Sequence, residues 1–302
     1  MKNRTVMKFI LSALFFVMLS SSLHASSTEK IILQQTSKFV LRDNPPEFAG
    51  LSGLVISNNG DKFVTISDKS DYFEGMIQRD TSGSISSIQI TLSGHLKDSK
   101  GIPLNGRNLD SESIVKTPSA FYISFESNNR IMKHKHLYSP GEFLPKHEDF
   151  KNLLVNKGIE ALAIDKDGKL FAIPEKPPRN YQNYPIYILR DGKWEVFSFF
   201  PAKGNFQVSD AAFMTDNSLI LLERSYNWSV GFITRLRRLE LSHEKILKPQ
   251  DLLEKTSGAS NYEGLSIWNN AAGETYLTLI SDNNFLPLLT TEILEYKVIK
   301  TH

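Results

Sequence analysis

Five stretches of the sequence are copies of one pattern, and no other feature limits the possible folds as tightly. They are LSGLVISNNGDKFVTISDKS from Leu51, DSESIVKTPSAFYISFESNNR from Asp110, GIEALAIDKDGKLFAIPEK from Gly158, VSDAAFMTDNSLILLERS from Val208 and YEGLSIWNNAAGETYLTLISDNN from Tyr262. Each copy reads as an acid, a small residue and an aliphatic, then a strand, a turn, a second strand and a closing acid. Ser52 replaces the first acid in the first copy. The aligned positions Leu54, Ile114, Leu162, Ala212 and Leu265 are spaced by 60, 48, 50 and 53 residues.

A period near 50 residues filled with short strands is the signature of a β-propeller, in which each repeat is one four-stranded blade. The third copy shows the four strands best, at Ala161–Ile164, Leu170–Ile173, Ile186–Arg190 and Trp194–Phe199. Asp167-Gly168 and Asp191-Gly192 supply hairpin turns there. The last copy has only three strand-like runs, Gly264–Trp268, Thr275–Ile280 and Glu292–Val298. The N-terminal run Lys30–Leu41 supplies a fourth and closes the ring, which removes the unpaired edge. The expected fold is therefore an all-β propeller of five blades, or six if a degenerate blade hides in the long first interval. A β-sandwich needs no repeat of this period. The one short helix candidate is Lys248–Glu254.

Residues 1–25 read as an export signal. Lys2, Arg4 and Lys8 precede the apolar run Phe9–Leu19, and a small-residue exit ends at Ala25. Residues 26–302 then form one domain. Losing the three basic residues changes the net charge from +2 to −1, so nothing suggests a nucleic-acid surface. The chain has no Cys, which excludes a lipid anchor, disulfides, a thiolate metal site and a Cys nucleophile. No second long apolar run is present, so the expected product is a periplasmic or secreted protein without a membrane span, and a monomer.

In a propeller the first strand of each blade lines the channel and the second runs antiparallel to it. The start of the first and the end of the second thus share one rim. The repeat puts Ser52, Glu112, Glu160, Asp210 and Glu263 at the starts, and Asp68, Glu126, Glu175, Glu223 and Asp282 at the ends, with Asp110 beside them. So many carboxylates at one mouth need counter-charge. One source is a hard cation such as Ca²⁺, which takes six to eight oxygen ligands. The other is salt bridging to Arg107, Arg130, Arg224, Lys69, or Lys176 with Arg179. The same acids also read as structural caps repeated in every blade, and the sequence leaves both readings open.

The pattern resembles the phytase-like family, exported bacterial propellers described as having esterase-like activity. The matching stretches are Gly50-Leu51-Ser52-Gly53-Leu54, Asn108–Ile114, Asn156–Leu162 and Asn261–Leu265, with Ser281-Asp282-Asn283-Asn284-Phe285. They cover nearly all of the mature chain. The resemblance implies a hydrolase acting on a small-molecule ester, phosphoesters included. It gives the acid part, with Ca²⁺, to Asp110, Glu112, Glu160, Glu175 and Glu263, and the anion-gripping part to Arg107, Arg130, Arg179 and Arg224. From the rim placement, the candidate metal ligands are Asp68, Asp110, Glu126, Glu175, Asp210, Glu223, Glu263 and Asp282, with Glu112 or Glu160 as the general base. A metal-dependent lactonase and a non-catalytic binding propeller are the alternatives.

Other signals are weaker. No G-x-S-x-G elbow occurs, so a Ser-His-Asp mechanism is not expected. His134 and His136 lie among Lys133 and Lys135, which suggests an exposed outer strand. Asp165-Lys166-Asp167-Gly168 reads as a hairpin turn rather than a calcium loop. Tyr181, Tyr184, Tyr226 and Trp228 follow second strands, where they either wall a pocket at the mouth or cover a blade edge.

Overall fold

The computed structural model describes residues 30–301 apart from 43–44, 155, 243–244, 247–248 and 287. The export signal read at residues 1–25 lies outside the described residues. Strand β1 (Lys30–Val40) opens the fold. The first blade is β2 (Leu51–Ile56), β3 (Lys62–Ser67), β4 (Asp71–Arg79) and β5 (Ile85–His95). The second is β6 (Ser111–Lys116), β7 (Phe121–Phe125), β8 (Arg130–His134) and β9 (Gly141–Phe143). The third is β10 (Ile159–Ile164), β11 (Leu170–Pro174), β12 (Tyr184–Arg190) and β13 (Lys193–Phe200).

The fourth blade begins with β14 (Gln207–Phe213), β15 (Leu219–Asn227) and β16 (Gly231–Leu239). A small hairpin, β17 (Leu241–Ser242) with β18 (Lys245–Ile246), precedes its outer strand β19 (Gln250–Gly258). The fifth is β20 (Asn261–Asn269), β21 (Thr275–Asp282) and β22 (Glu292–Thr301), with β1 paired antiparallel to β22 as the fourth strand. The ring is closed by the N-terminal run, as the sequence pattern requires, and has five blades. The long first interval holds no sixth blade. It is taken up by the 11-residue β5 and by the 96–110 connection, whose regular element is a 3-10 turn at Gly106–Asn108. The expected helix at Lys248–Glu254 is also corrected, because residues 250–258 form β19 against β16.

Five apolar seams hold the blades together, one between each neighbouring pair. Alternate residues of one strand feed different seams, as the two-residue period of a strand requires. In the third blade, Ile159, Leu162, Leu170 and Ala172 pack toward the second, while Ala161, Phe171, Ile173 and Ile186 pack toward the fourth. Ile280, Ile293 and Trp268 of the fifth meet Leu51, Leu54 and Phe63 of the first, and this seam closes the ring. Inner and middle strands buried on both faces explain why the repeats read as near-continuous apolar runs.

The small residue of the repeat has a packing reason. A Cβ on Gly53 would lie 2.9 Å from the backbone nitrogen of Ile114 in the next blade. One on Gly264 would lie 3.0 Å from the carbonyl carbon of Gly53. The innermost strands approach most closely at this position, so bulk is excluded.

Candidate functional site

Each inner strand begins with a β-bulge. The register of β2 with β3 shifts between Leu51 and Gly53, of β6 with β7 between Ser111 and Ile114, and of β10 with β11 between Ile159 and Ala161. The same shift falls between Val208 and Asp210 in the fourth blade and between Tyr262 and Gly264 in the fifth. A bulge leaves one residue out of the ladder and re-aims its side chain. The bulge regions therefore present Ser52, Glu112, Glu160, Ser209 and Glu263. The second strands end beside them at Asp68, Glu126, Glu175, Arg224 and Asp282.

This register corrects the fourth repeat by one residue. Asp210 and Glu223, expected at the rim, belong elsewhere. Asp210 takes the small-residue position one step down the channel. Its carboxylate accepts from the backbone N–H of Ala211 (2.9 Å), that of Leu265 (2.7 Å) and Ser113 Oγ (2.9 Å). Glu223 is fully buried on the other face of β15, with one oxygen 2.7 Å from Arg235 Nε and the other 2.5 Å from Arg237 Nη2. A one-residue slip moves a side chain to the opposite face of its strand. Arg224 takes the rim position instead, so one blade contributes a cation where the other four contribute acids.

The carboxylates converge most tightly at the second and third blades. One oxygen each from Asp110, Glu112 and Glu126 lie within 4.8 Å of one another, and so do one each from Glu126, Glu160 and Glu175. Glu126 is common to both groups. Asp110 is held at φ +77°, in the place where the first blade has Gly50 at φ +66°, and accepts from Ser127 Oγ at 2.9 Å.

Burial and mutual repulsion push these groups up. Glu126 rises to about 7, mainly through burial, with Asp110 and Glu175 adding to it against the N–H of Gly158. Glu160 rises to about 8 through burial and the charge of Glu175. Glu112 is raised well above its ordinary value by burial, Glu160 and Asp110. Asp68 and Asp282 each rise to about 6 through burial. Asp282 raises Asp68 further, while the Asn284 N–H and Arg224 restrain Asp282.

The opposite sector is compensated. Lys157 Nζ is 2.6 Å from Glu175 Oε2 and Arg224 Nη2 is 3.5 Å from Glu175 Oε1. Arg224 also pairs with Glu263 and donates to Asn261 Oδ1 at 3.2 Å. Glu175 thus faces both sectors. A cleft of about 310 Å³ opens beside it, lined by Lys157, Gln207, Arg224, Tyr226 and Phe232. A second cleft, about 520 Å³, lies between the first two blades against the far ends of β2 and β3, with Lys62, Glu74 and Lys116 but none of the rim acids.

The remaining arginines do different work. Arg130 is 2% exposed and lies 3.9 Å from the Phe125 ring centre, and it donates to Asn128 Oδ1 and to the carbonyl of Asn108. Burial pushes it down to about 10. It anchors the turn that leads to Asp110 and is not presented to a ligand. Arg107 and Arg179 are solvent-exposed on connections. His134 was expected outside but is buried in β8, with Nδ1 3.1 Å from the Ser139 carbonyl; His136 lies beyond the strand. Tyr184 is core, stacked on Phe200. Tyr226 lines the cleft, and Trp228 stands at the tip of the β15–β16 hairpin. Lys157 falls within the stretch Asn156–Leu162, but the sequence singles out neither it nor Phe232, because neither stands at a repeated acid position or follows a closing acid.

A sequence model of the phytase-like family, described as esterase-like activity of phytase, matches residues 46–285. No curated protein matches the chain. Among solved structures, the PQQ-bound aldose sugar dehydrogenase of Streptomyces coelicolor aligns over 87% of this chain and 98% of its own, at 14% identity and a TM-score of 0.48. A gluconolactonase of Xanthomonas campestris aligns over 82% and 72%, at 11% identity and 0.43. A chain of a nidogen/laminin complex aligns over 83% and 88%, at 14% identity and 0.44. At such identities none lends a residue to the rim.

Proposed function

The chain belongs to the phytase-like family, and from that premise we propose that it is an exported, Ca²⁺-dependent hydrolase of a small-molecule ester. The observation that carries this reading is the pair of overlapping carboxylate groups, Asp110–Glu112–Glu126 and Glu126–Glu160–Glu175, beside a cleft that holds Arg224 and Lys157.

The donor set suits a hard cation. It is all carboxylate oxygen, with no His or Cys in either group. Acids raised to about 7 and 8 by burial, with neighbouring carboxylates adding to it, need a proton or a metal ion to share the rim. Asp110, Glu112 and Glu126 would hold the ion, with Glu160 adjoining. Bound Ca²⁺ would supply Lewis-acid polarisation of the ester and a water of lowered pKa.

The chain's own groups do the rest. With Glu112 on the ion, Glu160 takes a proton from the attacking water and passes it to the oxygen of the leaving alcohol. Arg224 and Lys157 face charge developing on the ester oxygens. Glu175 and Glu263 hold both cations at the cleft until an anion replaces them.

Thermal melting of the mature protein in Ca²⁺ against excess chelator tests the reading, followed by turnover of phosphoester, carboxylic ester and lactone probes. A single site at hundredfold excess over its dissociation constant adds about 2.7 kcal/mol of stability. An upward shift with turnover supports the proposal, and the hydrolysed probe separates phosphoesterase from lactonase chemistry. No shift, no retained metal and no turnover would overturn it in favour of a salt-bridged binding propeller.

A further inference from the structure

The fourth blade departs from the other four at the rim. Their second strands stop there, at Ser67, Phe125, Pro174 and Asp282. Strand β15 runs on past Arg224 to Asn227 and turns back into β16 at Gly231, with Tyr226 paired to Phe232. The extension is braced. Asn227 Oδ1 accepts from the N–H (2.9 Å) and Oγ (2.7 Å) of Ser229. Gly231 sits at φ +82°, where a Cβ would fall 2.3 Å from the carbonyl oxygen of Gly258 in β19. The ladder of β16 with β19 reaches this level, pairing Phe232 with Gly258. The projection is a three-stranded wall rather than a loose loop.

Arg224 and Tyr226 are two residues apart on β15, so they share a face. Both line the cleft, as does Phe232. Tyr226 and Phe232 meet edge-to-face at 5.2 Å, and Tyr226 stays 67% exposed. The cleft therefore has two chemistries side by side. The cations Arg224 and Lys157 stand at one end and an open aromatic surface at the other, with the Arg224 and Tyr226 backbone positions about 7 Å apart by strand rise. One small molecule that carries both an anionic head and a ring can reach both.

We infer that the substrate of this cleft is an amphipathic anion, an ester whose charged head lies on Arg224 and Lys157 and whose flat apolar body lies on Tyr226 and Phe232. A wholly polar polyanion gains nothing from the aromatic wall. This deepens the hydrolase reading by naming its substrate class, and its test separates the two.

The probes are 1-naphthylmethylphosphonate and methylphosphonate, which carry the same head on a C–P bond that esterases do not cleave. Calorimetric titration of the Ca²⁺-treated protein is expected to show the naphthyl compound binding at least about tenfold tighter, since an aromatic contact adds to the area it buries. Tyr226→Ala and Phe232→Ala each reduce that preference to less than about threefold and leave methylphosphonate affinity unchanged. Tyr226 is exposed enough for truncation to spare the fold, and thermal melting checks this. Equal affinity for the two probes, or a preference that survives both substitutions, overturns the inference even if simple esters are hydrolysed. Preferential binding of the naphthyl probe supports the ligand class even where no phosphoester, carboxylic ester or lactone is turned over, an outcome that would remove the hydrolase reading alone.

Discussion

Ser113 Oγ donates a 2.9 Å hydrogen bond to Asp210 Oδ1. The two residues sit on the inner strands of the second and fourth blades, which share no seam, so the bond crosses the channel. Ser113 Oγ also accepts from the N–H of Leu162 at 3.1 Å, and the second oxygen of Asp210 takes the N–H of Leu265. One side-chain pair thus ties four consecutive blades together at the axis. Asp210→Ala removes the acceptor for three buried donors, each costing on the order of 1–3 kcal/mol when left unpaired. The expected result is a large drop in urea midpoint with site chemistry unchanged per folded molecule. A variant that melts like the parent would show that the bond contributes nothing to ring closure.

The fourth blade supplies a paired test of register. Glu223→Ala leaves Arg235 and Arg237 buried without their carboxylate, a loss of about 3–5 kcal/mol for a broken buried pair. Arg224→Gln, one residue on, removes a half-buried cation at the rim and should weaken methylphosphonate binding while the fold survives. If Glu223→Ala weakened the anion and Arg224→Gln unfolded the protein, the assignment of faces would be reversed.

Most of the architecture is legible in the sequence because the same strand–turn–strand unit with its bounding acids recurs five times at near-constant spacing, so strand positions and the closing role of the N-terminal run follow from pattern alone. The error at Asp210 and Glu223 also has a physical cause. An acid at the small-residue position imitates the bulge acid next to it, and Glu223 precedes the true strand end by one residue. Only the ladder, with Val208 opposite Glu223, separates the two registers. The cleft was partly legible. Arg224 and Tyr226 stand out by type, but Lys157 sits just ahead of the third repeat without an acid's signature and Phe232 arrives through a hairpin that no repeat encodes. His134 misled because flanking lysines suggest exposure, yet its strand turns that one side chain inward.

The raised acids give stability a defined pH dependence without metal. Glu126 and Glu160 rise to about 7 and 8 from an ordinary value near 4.5. Between those limits the folded state holds protons that the unfolded state has released, so unfolding becomes easier as pH rises. The melting temperature of chelated protein is expected to fall from pH 5 to pH 8, and added Ca²⁺ to raise it more at pH 8 than at pH 5. A flat profile in chelator would mean that the rim charges are already balanced.

Glu126 is the most exacting position for the metal reading, because it alone belongs to both carboxylate groups. Glu263 is also a rim glutamate, but its partners are Arg224 and Asn261, not other acids. Glu126→Gln should weaken Ca²⁺ binding by at least about tenfold, the effect of losing roughly 1.4 kcal/mol of ligand interaction. It should also raise the melting temperature of chelated protein at pH 8, since one repelling charge is gone. Glu263→Gln should leave Ca²⁺ affinity within about threefold and instead loosen Arg224. Direct Ca²⁺ titration of the two variants decides it. Equal weakening would make the rim a diffuse field of charge rather than a coordinating site.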